Sequence, residues 1–416
     1  MINIILMLLL ILVIARLFGE LFERKRLPVI VGEILAGMLI GPAALGLIEP
    51  GPIFNTIVDL ALFFIIFTTG LEFSLSHVKR DIRPSLIISF VGNGMAFLAG
   101  MLISLGLGFD LVEALFISCV FSLTALPVAL RVLMDLKINN TRFGHLVISS
   151  SILDDLFSII LLSLIIPLAL AETYTLETLV FLIFKMSVFL LIIYFINRFF
   201  KWRHELPTHY IKHYIRKLHS REVEFSIILL VGLGLALLGE VLGVTYIIGA
   251  FYAGAIISER VVGERVFKKT NSVLNTISFG FFGPLFFAYI GMNFIRREFW
   301  FESTSAQILS FLVMGLIFII FAFIGKAGGV YLGARLSKIK KKTAATIGTA
   351  MNARGLMGLV IAGYGFEMGI ISDRTLSLLI IMSIVTTLMT PLLLKRILKK
   401  DHTIKDLQEK PDCVRY

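Results

Sequence analysis

The chain has 416 residues, of which 57% are hydrophobic and 16% charged, and its mean hydropathy is +0.93. Apolar residues in that excess, gathered into many runs of about spanning length, exclude a soluble globular protein and leave a polytopic membrane protein. The net charge of +11 would suit nucleic acid if the basic residues formed one patch, so their placement decides the matter.

Thirteen apolar segments can be marked off, at about 3–22, 28–46, 53–72, 85–107, 111–134, 144–170, 176–198, 224–242, 244–259, 272–293, 306–335, 343–366 and 374–396. The first lacks a basic leader and a small-residue cleavage site, so a retained helix is expected. Alternate junctions carry 32 of the 39 Lys and Arg residues, whereas the opposite junctions hold Arg296, Arg297 and Arg374. By the positive-inside rule the amino terminus is outside and the carboxyl terminus cytoplasmic, in a cell membrane. The basicity is therefore topological, and no nucleic-acid partner is expected. Cys119 lies in an apolar run and Cys413 in the polar tail, which suggests no disulfide framework.

Two segments resemble each other. PVIVGEILAGMLIGP (28–42) and TYIIGAFYAGAIIS (245–258) align Gly32 with Gly249 and Ala36-Gly37 with Ala253-Gly254, and the spans that follow end in GLEF (70–73) and GMNF (291–294). An offset of seven spans, an odd number, predicts an inverted-topology repeat of spans 1–6 and 8–13 with span 7 as connector. Small residues at helical spacing would also serve plain helix packing. The longest polar connection, 201–224, carries His204, His209, His213 and His219. Its mixture of aromatic and basic residues predicts an interfacial amphipathic helix, with pH sensing as the alternative.

The chemistry centres on LVISSSILDDLFSIILLS (146–163), where Asp154 and Asp155 stand near the middle of an apolar run. An acid at the centre of a membrane helix costs about 2.5–3.5 kcal/mol of insertion free energy, so two together imply a use. At about 1.5 Å per residue both lie roughly 15 Å deep. Lys326, Asn352 and Arg354 reach the same level in the eleventh and twelfth spans, and Thr124 to Pro127 reach it in the fifth. Pro127 frees a carbonyl in the preceding turn, and Gly355 and Gly358 flank Asn352 and Arg354 in the equivalent span. Two interrupted helices at membrane depth point to an ion site at the repeat interface. Neighbouring helical residues diverge by about 100°, so one aspartate can meet Lys326 while the other faces a cavity. Ser151 shares the face of Asp155 and Ser150 that of Asp154. Asp155, Ser151, Thr124 and freed carbonyls could supply the hard oxygens that a dehydrated monovalent cation wants. Protons and cations then compete for one carboxylate, which is how an exchanger works.

These motifs, with FTTGLEF, SLTALP, SSILDDL, GPLFFAYIGMNF, IGKAGGVYLGARL and MNARGLMGLV, resemble the monovalent cation:proton antiporter superfamily over essentially the whole membrane region. The Asp-Asp pair with a mid-membrane lysine is similar to its electrogenic sodium/proton branch. The resemblance implies that Asp155 binds Na+ or Li+, that Asp154 pairs with Lys326, and that the protein is a homodimer. It also implies a core transport domain (81–171 and 301–400) moving against a dimerisation domain (1–80 and 223–300), with a linker at 172–222 and a tail at 401–416. The tail has no room for the nucleotide-binding domain of potassium-efflux relatives, which weakens potassium as the substrate.

The fold class expected is thus an all-α membrane protein with thirteen spans and discontinuous crossing helices. The function expected is secondary active sodium or lithium/proton antiport by alternating access, electrogenic, with no cofactor and no enzymatic residue. Potassium/proton exchange is the alternative. An intramembrane aspartyl protease needs two acids sharing one water, which adjacent helical residues cannot do, and a cation channel would want a filter-like repeated loop. Among other charges, Arg16 and Glu20 are spaced to pair, Glu33 and Glu72 line a cation funnel or make structural bonds, and Arg354 pins the helix crossing. Lys185 has no partner nearby in sequence.

Overall fold

In a computed structural model the protein is described at residues 4–25, 27–72, 81–124, 129–130, 133–134, 138, 141–169, 176–202, 221–257, 262–295 and 297–400. Pro127, the segment 203–220 with its four histidines, the 401–416 tail and the side chain of Glu72 lie outside the described residues.

The described residues are helical and contain no strand. In chain order the helices are α1 (Ile4–Arg24), α2 (Val29–Ile40), α3 (Pro52–Glu72), α4 (Ile82–Gly106), α5 (Leu111–Ser122), α6 (Arg142–Ala169), α7 (Leu176–Trp202) and α8 (Arg221–Val241). They continue with α9 (Tyr246–Ile256), α10 (Glu264–Ile277), α11 (Gly283–Met292), α12 (Arg297–Glu302), α13 (Ser305–Leu336), α14 (Lys341–Ala350), α15 (Leu356–Glu367) and α16 (Asp373–Lys400). A π-helical turn, Ser278–Phe282, joins α10 to α11 without a break. Helix covers all or part of each of the thirteen expected segments. Eight helices among the described residues are long and apolar enough to cross a membrane.

Two compact units are present: Met1–Pro50, Leu75–Leu161 and Phe287–Tyr416 form one, and Gly51–Ser74 and Leu162–Phe286 the other. In the first unit α4 lies along α13 because three glycines at helical spacing remove the side chains between them. A Cβ on Gly325, Gly329 or Gly333 would stand 2.8 Å from Ala99 Cβ, Met95 Cβ or Ile88 Cα respectively. Backbones can approach this closely only over small residues. α13 itself starts from a capping box, in which Thr304 and Gln307 satisfy each other's backbone N–H groups. A core of Ile88, Phe143, Val147, Val330, Ile347 and Leu394 ties α4, α6, α13, α14 and α16 together.

The matched glycines of the two similar segments make matched contacts. In the first unit Gly32 of α2 abuts the Phe18 carbonyl of α1, Gly37 abuts Ala288 of α11, and Gly291 of α11 abuts the Ile34 carbonyl of α2. Within the second unit Gly249 of α9 abuts Leu235 of α8, Gly254 abuts the Phe67 carbonyl of α3, and Gly70 of α3 abuts the Phe251 carbonyl of α9.

Any side chain at Gly37 or Gly254 would collide with a backbone carbonyl, whereas nothing lies within 4 Å of a Cβ at Gly94. Gly37→Leu and Gly254→Leu should therefore each destabilise by at least the ~1–3 kcal/mol typical of overpacking. Gly94→Ala should be neutral or stabilise by up to about 1 kcal/mol. Thermal unfolding of the detergent-solubilised protein, followed by loss of the monodisperse size-exclusion peak, checks all three.

Candidate functional site

All the site's described groups lie in the first unit. α5 stops at Ser122, and Leu123 is already extended, with φ −69° and ψ 150°. α14 stops at Ala350, and the chain runs through Met351 to Gly355 before α15 begins. Helix ends leave carbonyls without intrahelical partners, and at membrane depth those carbonyls need donors from the protein. Two buried cations supply them. Lys326 Nζ donates to the Ser122 carbonyl at 2.5 Å. Arg354 donates to the Phe121 carbonyl through Nε at 3.1 Å and Nη2 at 2.5 Å, and to the Ala322 carbonyl at 2.7 Å. Thr387 of α16 in turn donates to the Arg354 carbonyl. The guanidinium, fully buried, links the end of α5 to α13 from the interruption before α15.

Lys326 and Asp154 are both fully buried and form an ion pair of 2.6 Å. The carboxylate accepts from Lys326 and Thr124 at Oδ2, 2.6 and 2.7 Å away, and from Ser89 at Oδ1, 2.5 Å away. The ammonium has three hydrogens and gives all three, to Asp154, to the Ser122 carbonyl and to Asn93 Oδ1 at 2.6 Å. Asn93 Nδ2 closes a ring by donating to Ser89 Oγ at 3.5 Å. Removing one member of a buried pair strands the other, at a cost of about 3–5 kcal/mol.

Asp155 is different. It is 8% exposed, and its Oδ1 has no hydrogen-bond partner, nor has the hydroxyl of Ser151 one turn earlier. Both amide atoms of Asn352 and Nη1 of Arg354 are likewise buried and unpartnered. Buried polar atoms are rarely left so, and here they gather around the two helix interruptions. Thr124, expected as a ligand beside Asp155, gives its hydroxyl to Asp154 and also lies 3.1 Å from the Met351 carbonyl. Ser150 shares the face of Asp154 and contacts the Ser85 carbonyl at 3.4 Å.

Ser89 and Asn93 are functional candidates that the sequence reading missed. They sit four residues apart on one face of α4, in a run whose other residues are apolar or small, and that spacing was the available signal. Outside this cluster, Glu33 is buried with Arg16 3.5 Å away, a structural pairing across α1 and α2. Glu20, the partner expected for Arg16, accepts from Arg24 at 2.9 Å. Lys185 lies over the ring of Phe181, 4.6 Å from its centroid, one helical turn earlier.

Known proteins place this geometry in a family. The chain is 30% identical over 386 residues to the Na(+)/H(+)-K(+) antiporter GerN of Bacillus cereus, covering 93% of this chain and 94% of that one. It is 26% identical over 391 residues to a Na(+)/H(+) antiporter of Enterococcus hirae, covering 94% and 97%. Its fold is similar to that of the sodium proton antiporter MjNhaP1 of Methanocaldococcus jannaschii, with a TM-score of 0.65 at 18% identity, over 97% of this chain and 98% of that one. Residues 8–400 match the family described as sodium/hydrogen exchanger, transmembrane, and the chain belongs to that family: it is a multi-pass cation/proton antiporter of the cell membrane, a secondary transporter and not an enzyme.

Proposed function

We propose that this protein exchanges cytoplasmic sodium, or lithium, for protons by alternating access, and that it does so electrogenically. The observation that carries the reading is the contrast between the two aspartates. Asp154 has donors on both of its oxygens, three in all, while its neighbour Asp155 keeps a buried, unpartnered oxygen, as does Ser151 one turn earlier. Asp155 is then the group that takes a proton or a cation, with Ser151 as an oxygen ligand. Thr124 can join them where its hydroxyl turns from Asp154. Asp154 and Lys326 form the coupled pair, and Arg354 and Asn352 shape the crossing, a role the sequence also assigns to Pro127. If two protons move per cation, one net charge crosses per cycle, worth about 2.3 kcal/mol per 100 mV of membrane potential.

The proposed architecture has thirteen spans, the amino terminus outside, and inverted repeats. The matched contacts of Gly32, Gly37 and Gly291 with those of Gly249, Gly254 and Gly70 support the repeat. In this reading the protein is a homodimer through 1–80 and 223–300, and the 81–171 and 301–400 core moves. Glu72 and Glu33 stand toward the cytoplasmic entrance, Glu33 holding Arg16 rather than the ion. Potassium is the second reading, favoured by the potassium in the name of the GerN relative.

Flux measured in proteoliposomes tests these assignments. Asp155→Asn should reduce sodium-driven proton movement to the level of empty liposomes, and retained exchange would remove Asp155 from its role. Lys326→Gln should leave exchange insensitive to an imposed potential if Lys326 carries the second proton. Titration with sodium, lithium and potassium, each with and without that potential, identifies the substrate cation; saturation by potassium alone would replace the sodium reading.

A further inference from the structure

We propose that Asn93 of α4 is a positioning residue that sets the pH dependence of exchange by holding Lys326 and Ser89 in one hydrogen-bonded ring with Asp154. The proposal rests on the reading that Lys326 and Asp154 couple proton movement to transport.

The ring leaves little freedom in its protonation. An ammonium can only donate, so the oxygen of the Asn93 amide must face Lys326, and the 2.6 Å contact is to Oδ1. That orientation turns Nδ2 toward Ser89 Oγ, 3.5 Å away. Ser89 then has its own hydrogen left to give, and it gives it to Asp154 Oδ1 at 2.5 Å. One amide thus determines both the acceptor that Lys326 meets and the donor that Asp154 meets. Asn93 is 5% exposed and Ser89 fully buried, so water is not at hand to replace either bond. Burial raises the energetic stake of each one.

The charged groups acting on Lys326 are Asp154 and Asp155 of α6 and Arg354 of the interruption before α15. Against it, α4 sets Asn93 and α5 sets the Ser122 carbonyl, both neutral. Asn93 is therefore the neutral side-chain partner whose replacement changes the ammonium's surroundings directly and reaches Asp154 only through Ser89, with both aspartates left in place. An ammonium that loses a hydrogen-bond acceptor holds its proton less firmly, and one that gains a carboxylate neighbour holds it more firmly. Substitutions at this single position should push in opposite directions.

The experiment is the pH profile of sodium-driven exchange in proteoliposomes for wild type, Asn93→Ala and Asn93→Asp. The midpoint should move by at least about half a pH unit toward acid for Asn93→Ala and toward alkali for Asn93→Asp, with the sodium KM within about twofold of wild type. Asn93→Asp is nearly isosteric and keeps an oxygen toward Lys326, so its shift can be read even if Asn93→Ala fails to fold. Unmoved midpoints, shifts of the same sign, or an effect confined to the sodium KM would each overturn the proposal. Wild type that exchanges while both variants stay unshifted strikes this inference alone, whereas wild type without exchange strikes the functional reading and this inference together.

Discussion

The structure depends on one buried ion pair. Lys326 and Asp154 lie in a region where each charge alone would be prohibitive, and their attraction offsets desolvation only because the remaining bonding capacity is also used. The ammonium gives all three of its hydrogens, and the carboxylate accepts three hydrogen bonds with at least one on each oxygen. The pair joins α6 to α13 and draws its other partners from α4, from the end of α5 and from the interruption that follows α5, so it acts as a joint of the first unit as well as a candidate for proton coupling.

The same economy explains the two broken helices. A chain that stops a helix at membrane depth exposes carbonyls that lipid cannot satisfy. This protein meets the end of α5 with the Lys326 ammonium and the Arg354 guanidinium, and meets the Arg354 carbonyl with Thr387. Cations are suited to the task because hydrogen bonds from charged donors are roughly twice as strong as neutral ones. With both aspartates ionised, Lys326 and Arg354 bring the four buried charges to zero. In the proposed exchange a proton or a sodium ion arriving at Asp155 would add the same single charge at the same oxygen, so that one would exclude the other. On that reading selectivity rests on oxygen ligands, and Ser151 carries the unpartnered hydroxyl nearest to Asp155 in sequence.

Close backbone packing is what brings these groups together. Lys326 reaches Asn93 because Gly325 and Gly329 let α13 lie against Gly92, Met95, Ala96 and Ala99 of α4. A larger residue at either glycine would lift the lysine from its acceptor. The placing of the buried charges thus depends on the glycine stripe.

The sequence by itself determined the membrane class, the helical segments and the level at which Asp154, Asp155, Lys326 and Arg354 meet. Hydropathy runs and rise per residue are local properties, and a charge inside an apolar run announces itself by its cost. It also marked Gly32, Gly37, Gly249 and Gly254 as matching positions, and in the structure each abuts the backbone of another helix. The residues left open which aspartate meets the lysine, and the resemblance implied Asp154, the one in contact with it in the structure. The tertiary structure alone decided that Thr124 serves Asp154, that Glu33 holds Arg16, and that Ser89 and Asn93 stand beside the ion pair. Those facts depend on the rotation of one helix against another. The glycine faces set that rotation at the contact, and no local periodicity records it, least of all for two neutral side chains that look like ordinary packing residues until the lysine is placed beside them.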